Sequence, residues 1–101
     1  MSKKGDRVGA ILGAEKGMVE FLGYGVYDGD HVPTEGVGPF ADMMKKANIP
    51  NPKIILDSGR VVYGCECWWG PEEEIRKKVA AYEKVVIVDI DALRKSYNET
   101  P

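Results

Sequence analysis

The chain has 101 residues, 44% of them apolar, which is the ordinary make-up of one globular domain with a single modest core. Fourteen basic and sixteen acidic residues give a formal net charge of -2 with both signs dispersed, which excludes the basic footprint that duplex nucleic acid requires. No apolar run reaches the ~18 residues of a membrane span, and Met1-Ser2-Lys3-Lys4-Gly5-Asp6 lacks the apolar segment of a signal peptide, so a cytoplasmic location away from the membrane is expected.

Arg7 to Ala14 and Met18 to Tyr27 carry β-compatible apolar residues around Glu15-Lys16-Gly17 and predict a hairpin. Strict alternation sets Met18, Leu22, Tyr24 and Val26 on one face with Glu20, and Val19, Phe21, Gly23, Gly25 and Tyr27 on the other. Asp28 to Gly38, with Gly29, Pro33, Gly36 and Gly38, reads as a long irregular loop. Pro39 suits a first helical position, and Phe40, Met43, Met44 and Ala47 follow at helical spacing, so a short helix is predicted that Asn48 and Pro50 end.

Lys53 to Leu56, the turn residues Asp57-Ser58-Gly59, and Arg60 to Trp69 predict a second hairpin. Along its second strand Val61, Tyr63, Cys65, Cys67 and Trp69 share one face and Val62, Gly64, Glu66 and Trp68 the other, so the two tryptophans diverge. Gly70-Pro71 opens a helix whose first turn holds Glu72, Glu73 and Glu74, where the helix dipole favours acids. Each has a basic residue four positions on, at Arg76, Lys77 and Lys78, a pairing worth ~0.3 kcal/mol that marks a solvated face. Ile75, Val79 and Tyr82 form the buried stripe. Lys84 to Val88 is a β-branched run that predicts a strand covered on both faces, and Ile90, Leu93 and Tyr97 mark a terminal helix. The expected fold is α+β, a mostly antiparallel sheet of about five strands with two or three short helices in the order ββαββαβα, forming one domain over residues 1–101.

Several chemistries are set aside. His31 is the only histidine and lies between Asp30 and Val32 in the expected loop, where sequence neighbours rarely form an acid-base pair. Ser2, Ser58 and Ser96 sit in tails and a tight turn, none of them in a nucleophile elbow. Cys65 and Cys67, one residue apart, are badly placed to bridge each other and match no zinc-ligand spacing, so both read as reduced packing residues and no metal is expected. Gly36-Val37-Gly38-Pro39-Phe40-Ala41 fits a loose dinucleotide pattern, with Asp57 about 20 residues on. No strand ends before it, Pro39 removes an amide that would bind phosphate, and Asp57 has a turn role. No catalytic reaction or cofactor is identified.

What remains is the pairing of Gly23-Tyr24-Gly25-Val26-Tyr27-Asp28-Gly29-Asp30 with Tyr63-Gly64-Cys65-Glu66-Cys67-Trp68-Trp69-Gly70. Glycines weaken a strand unless something approaches the backbone closely, and aromatics beside them can stack on a flat ring. Arg7, Arg60 or Arg76 could then meet a phosphate or carboxylate. The competing reading is that these aromatics pack in the core or in a self-association interface.

The segments Arg-Val-Gly-Ala-Ile-Leu (7–12), Gly-Tyr-Gly-Val-Tyr (23–27), Asn-Pro-Lys-Ile (51–54) and Gly-Cys-Glu-Cys-Trp-Trp-Gly (64–70) resemble small uncharacterised proteins of bacteria and phages, over roughly residues 5 to 91. That resemblance implies no activity. A looser analogy, in size and character, is to small phage proteins that sequester cyclic nucleotide or cyclic ADP-ribose immune signals. The expectation is therefore a non-catalytic protein that binds a small, flat, anionic, nucleotide-like ligand through Tyr24, Tyr27, Arg60, Trp68, Trp69 and Arg76. The alternative is a structural or protein-interaction module with an aromatic contact surface. Either way a small core favours a homo-oligomer.

Overall fold

Strand β1 (Arg7–Glu15) and strand β2 (Met18–His31) form the first hairpin. It closes through Lys16 and Gly17, whose φ of 43° and 79° make a two-residue turn matched to the twist of the strands. The computed structural model describes residues 3–34 and 43–99, so the expected helix start at Pro39 and the Gly36 to Ala41 motif lie outside the described residues. Residues 43–46 are helical, and the helix ends as the sequence suggests. Asn48 takes a left-handed φ of 58°, its N–H donates to Lys45 and that of Ile49 to Met44.

Strands β3 (Asn51–Leu56), β4 (Val61–Tyr63) and β5 (Trp68–Pro71), helix α1 (Glu72–Ala80), strand β6 (Lys84–Ile87) and helix α2 (Ile90–Glu99) follow. The strands form one sheet in the order β4-β3-β2-β1-β5, antiparallel throughout, while β6 joins the start of β2 in parallel. The fold is thus α+β with a mostly antiparallel sheet. β2 is long enough to serve two partners on one edge, β6 beside Met18 to Phe21 and β3 beside Gly25 to His31.

Three expectations about the course of the strands change. Residues 28–31 continue β2 instead of starting a loop, because a bulge between Tyr27 and Asp30, with Gly29 at a φ of 82°, lets Asp30 and His31 pair with Pro52 and Asn51. The expected strand from Arg60 to Trp69 is broken by a 3-10 turn over Gly64–Glu66, so that β5 crosses to pair with β1. The simple alternation along β2 also fails. Ala10 pairs with Gly23 but Ile11 with Phe21, which leaves Leu22 as an extra residue and turns Tyr24 to the same side as Phe21, their rings edge-on at 4.8 Å.

Two apolar clusters cover the two faces of the sheet. On one, Val8, Ala10, Leu22, Ile54, Leu56 and Val62 enclose Ile90 of α2. On the other, Ile11, Val19 and Phe21 receive Ile75 of α1, with Tyr24, Val79 and Tyr82 around them. The sequence reads β6 as covered on both faces, yet Val85 and Ile87 are exposed, Ile87 to 72%, because the cover given by α1 stops short of this edge.

Helix α2 is held at its start by Asp89, whose carboxylate accepts the backbone N–H groups of Asp91 at 2.9 Å and Ala92 at 3.4 Å as an N-cap. Arg94, one turn on, enters the protein beside Glu66 with both side chains almost fully buried. Its Nε and Nη2 donate to the Glu66 carboxylate at 3.1 and 2.6 Å, and Nη2 donates also to the Val61 carbonyl at 2.8 Å. Glu66 in turn accepts the Tyr63 N–H at 3.0 Å. Removing one member of such a pair leaves the other charged and unpaired in a dry site. Arg94→Ala should therefore lower the unfolding free energy by ~3–5 kcal/mol in a urea titration, with Arg94→Lys recovering only part of it because an ammonium cannot reproduce the guanidinium fork.

Candidate functional site

Trp68 and Trp69 are consecutive residues of β5, paired with Ile11 and Ala10, and the pleat sends their indoles to opposite faces as the sequence suggests. Trp69 turns to the α2 face and lies flat on Tyr27, with ring centroids 5.2 Å apart and planes at 16°. The Tyr27 hydroxyl donates to Asp30 at 2.6 Å. Each ring of this pair therefore has one face already covered by the other.

Trp68 turns to the α1 face and remains 71% exposed. There it walls a hollow of about 180 Å³ with Ile11 and Ala14 of β1, Lys78 of α1, and Ala81 and Tyr82 just beyond that helix. A cavity of ~150 Å³ takes a benzene-sized ring, so this hollow admits one flat ring and leaves any larger remainder in solvent. Its lining is mainly apolar, and Lys78 and Tyr82 are among the residues that border it. The basic residues Lys77 and Lys78 lie in the last turn of α1, at the end nearest the hollow. The arrangement offers stacking, desolvation and a cation; it holds no nucleophile beside a base.

The six residues expected to form one site are divided among four places. Trp68 lies in the hollow, and Tyr27 and Trp69 are stacked on the far face. Tyr24 has the Arg76 guanidinium 4.8 Å above its ring, and Arg76 also donates to Glu72 at 3.2 Å, one of the three expected glutamate-base pairs on α1. Arg60 grips Asp89 through two bonds of 2.7 and 3.0 Å and lies 3.4 Å from Asp91, which holds the Asp89 carboxyl below the usual carboxylate range. Arg60 and Asp89 border a second, more open hollow with Leu22, Ser58, Ile87 and Val88. Arg7 forks onto Asp57 at 2.7 and 2.8 Å and reaches Glu72 at 2.8 Å, and the first of these contacts holds the Asp57 carboxyl down. The arginines that the sequence offers to an anion are thus engaged with acids of the same chain.

The strand glycines are explained in the same way. A Cβ on Gly25 would meet the Ile55 carbonyl and the Leu56 backbone of β3, and one on Gly64 would lie 2.9 Å from the Pro52 ring and 3.1 Å from the Trp69 indole nitrogen. What approaches these backbones is the protein itself. Lys78 and Tyr82 take the places expected of the arginines and of the second indole. Their spacing of four residues, about one helical turn, is the signal by which the sequence could have joined them, although Tyr82 reads there as core and Lys78 as solvated surface.

His31 Nε2 donates to the Asp28 carbonyl at 2.8 Å, and no group of three or more metal-ligating side chains forms among the described residues. No helix among them is long and apolar enough to cross a membrane. No family model, no curated protein and no solved structure matches the chain.

Both cysteines are free thiols. Burial, then the neighbouring Glu66 charge, pushes the Cys67 thiol up to about 12, and its Sγ donates to the Tyr63 carbonyl at 3.5 Å. The same two causes, burial first, raise Cys65. At pH 8 only roughly one Cys67 in ten thousand is then thiolate, the reactive form. Labelling of a Cys65→Ser variant with a thiol reagent should be at least about a hundredfold slower in buffer than in urea, as followed by intact mass.

Proposed function

We propose that the protein is a non-catalytic small-molecule-binding protein that takes a flat, anionic, nucleotide-like ligand in the hollow between β5 and the end of α1. The observation that carries this reading is Trp68, an indole left 71% exposed on the wall of an apolar hollow sized for one ring. A large aromatic surface kept in water beside a concave apolar wall is what a stacking ligand covers. In this reading Trp68 and Tyr82 receive the ring and Lys78 the anionic group, which stays near the mouth where solvation costs it little. The analogy to phage proteins that sequester immune-signal nucleotides indicates the ligands to screen first.

The structural reading retains one supporting observation, since the same exposed Trp68 could anchor a protein contact. Calorimetric titration with nucleotides, cyclic dinucleotides and ADP-ribose relatives, read beside acrylamide quenching of tryptophan fluorescence, separates the two. A ligand should shield Trp68 from the quencher. Trp68→Ala should then weaken binding about tenfold to a hundredfold, the ~1–3 kcal/mol of a base stacked on an aromatic ring. Lys78→Ala should weaken it less and flatten its salt dependence, while Arg60→Ala should leave affinity unchanged because that guanidinium is held by Asp89. No binding across the panel, with Trp68 quenched equally in every mixture, would transfer the case to the contact surface.

A further inference from the structure

β6 pairs with β2 on one side only. The Lys84 N–H donates to the Gly17 carbonyl at 3.1 Å and the Val88 N–H to the Phe21 carbonyl at 2.9 Å. The alternation of a strand then turns the Val86 amide to β2 as well, and turns the N–H and C=O groups of Val85 and Ile87 to the opposite edge. No strand among the described residues pairs with that edge. The same two residues carry exposed side chains, 42% for Val85 and 72% for Ile87. They extend outward the apolar rows of their β2 neighbours Val19 and Phe21. Proteins commonly blunt a free edge with proline, a bulge or central charges. Here Val85, Val86 and Ile87 are consecutive β-branched residues, and the one charge of the strand, Lys84, stands at its end.

We infer that β6 is a self-association edge, on which a second copy of this chain pairs its own β6 antiparallel across a two-fold axis at Val86. The phase of the hydrogen bonds fits this arrangement. With Val86 facing the partner's Val86, Val85 stands opposite the partner's Ile87 and Ile87 opposite the partner's Val85. These are the residues whose backbone groups point outward, so each pair can exchange both of its bonds. Opposed residues of an antiparallel pair share a face, so the two valines and two isoleucines make one apolar cluster. Charge selects the direction. Lys84 begins the strand, so antiparallel pairing in this register sets each Lys84 opposite the partner's Val88 and keeps the two ammonium groups apart, whereas parallel pairing would set Lys84 against Lys84. Such a contact is isologous and closes as a dimer, with two edges removed at once.

The test uses the full chain and does not depend on the Trp68 hollow. Light scattering over a wide concentration range should give the mass of two chains at the upper end. Hydrogen exchange resolved by residue should then show the Val85 and Ile87 amides protected at least about tenfold more in the concentrated than in the dilute sample, with Lys84 and Val86 protected equally in both. Ile87→Lys changes an exposed side chain, so its circular dichroism should match the parent while self-association weakens about a hundredfold. A one-chain mass throughout, a dimer in which Val85 and Ile87 exchange as fast as on dilution, or an Ile87→Lys protein that still dimerises would each overturn the inference.

Discussion

Among the described residues, Glu66 and Arg94 are the two charges that this fold places away from water, and the rest of the structure is arranged around keeping them together. Desolvating a carboxylate and a guanidinium costs several kcal/mol each, which only mutual contact and further hydrogen bonds offset. Those bonds are present. Glu66 accepts from the Tyr63 N–H, Arg94 donates to the Val61 carbonyl and to Asp91, and no buried side-chain polar atom is left without a partner among the described residues. The contacts fix three things at once: the 3-10 turn that breaks the chain after β4, the crossing of β5 to β1, and the seat of α2 on the sheet. An apolar pair of the same volume could match the energy but would not specify this register, because only the charged pair becomes costly when displaced.

The arginine network at the surface has a different character. Arg7 joins Asp57 in the β3–β4 turn to Glu72 at the start of α1, Glu72 also holds Arg76, and Arg76 lies over Tyr24. Arg60 ties the same turn region to the N-cap of α2 through Asp89. These groups are partly exposed, so each contact contributes little alone. Their combined effect is positional. The two helices are held by their first turns to one end of the sheet, and the far end of α1, with Lys78 and Tyr82, is left open beside Trp68.

The aromatic residues divide along the same line. Tyr27 and Trp69 cover each other on the α2 face, and Tyr24 is covered by Phe21 and Arg76 on the α1 face. Trp68 alone of these is left largely in water, which is why the ligand reading narrows to its surroundings. The exposed pair Val85 and Ile87 lies on a separate strand edge, so a ligand in the hollow and a second copy on β6 would not compete for the same surface groups.

The sequence by itself determined the elements whose signals are local. The Lys16-Gly17 turn, the Asn48 helix end, the acidic first turn of α1 and the divergence of the two tryptophans follow from φ preferences, the helix dipole and the period of a strand. The α+β class follows from their order. Tertiary structure decided what depends on partners distant along the chain. Leu22 bulges because Ile11 pairs with Phe21, the strand after Arg60 breaks because Glu66 meets a guanidinium 28 residues away, and the Val85 and Ile87 side chains of β6 stay exposed because α1 does not extend over them. The site divided for the same reason. Glycine beside an aromatic residue signals close approach without saying by what, and the approaching groups were the Ile55 carbonyl and the Pro52 ring, which only long-range strand pairing brings there. Arginine signals an anion equally without saying whose, and pairing across the fold gave Arg60 to Asp89 and Arg7 to Asp57, so the hollow beside Trp68 was left to Lys78 and Tyr82.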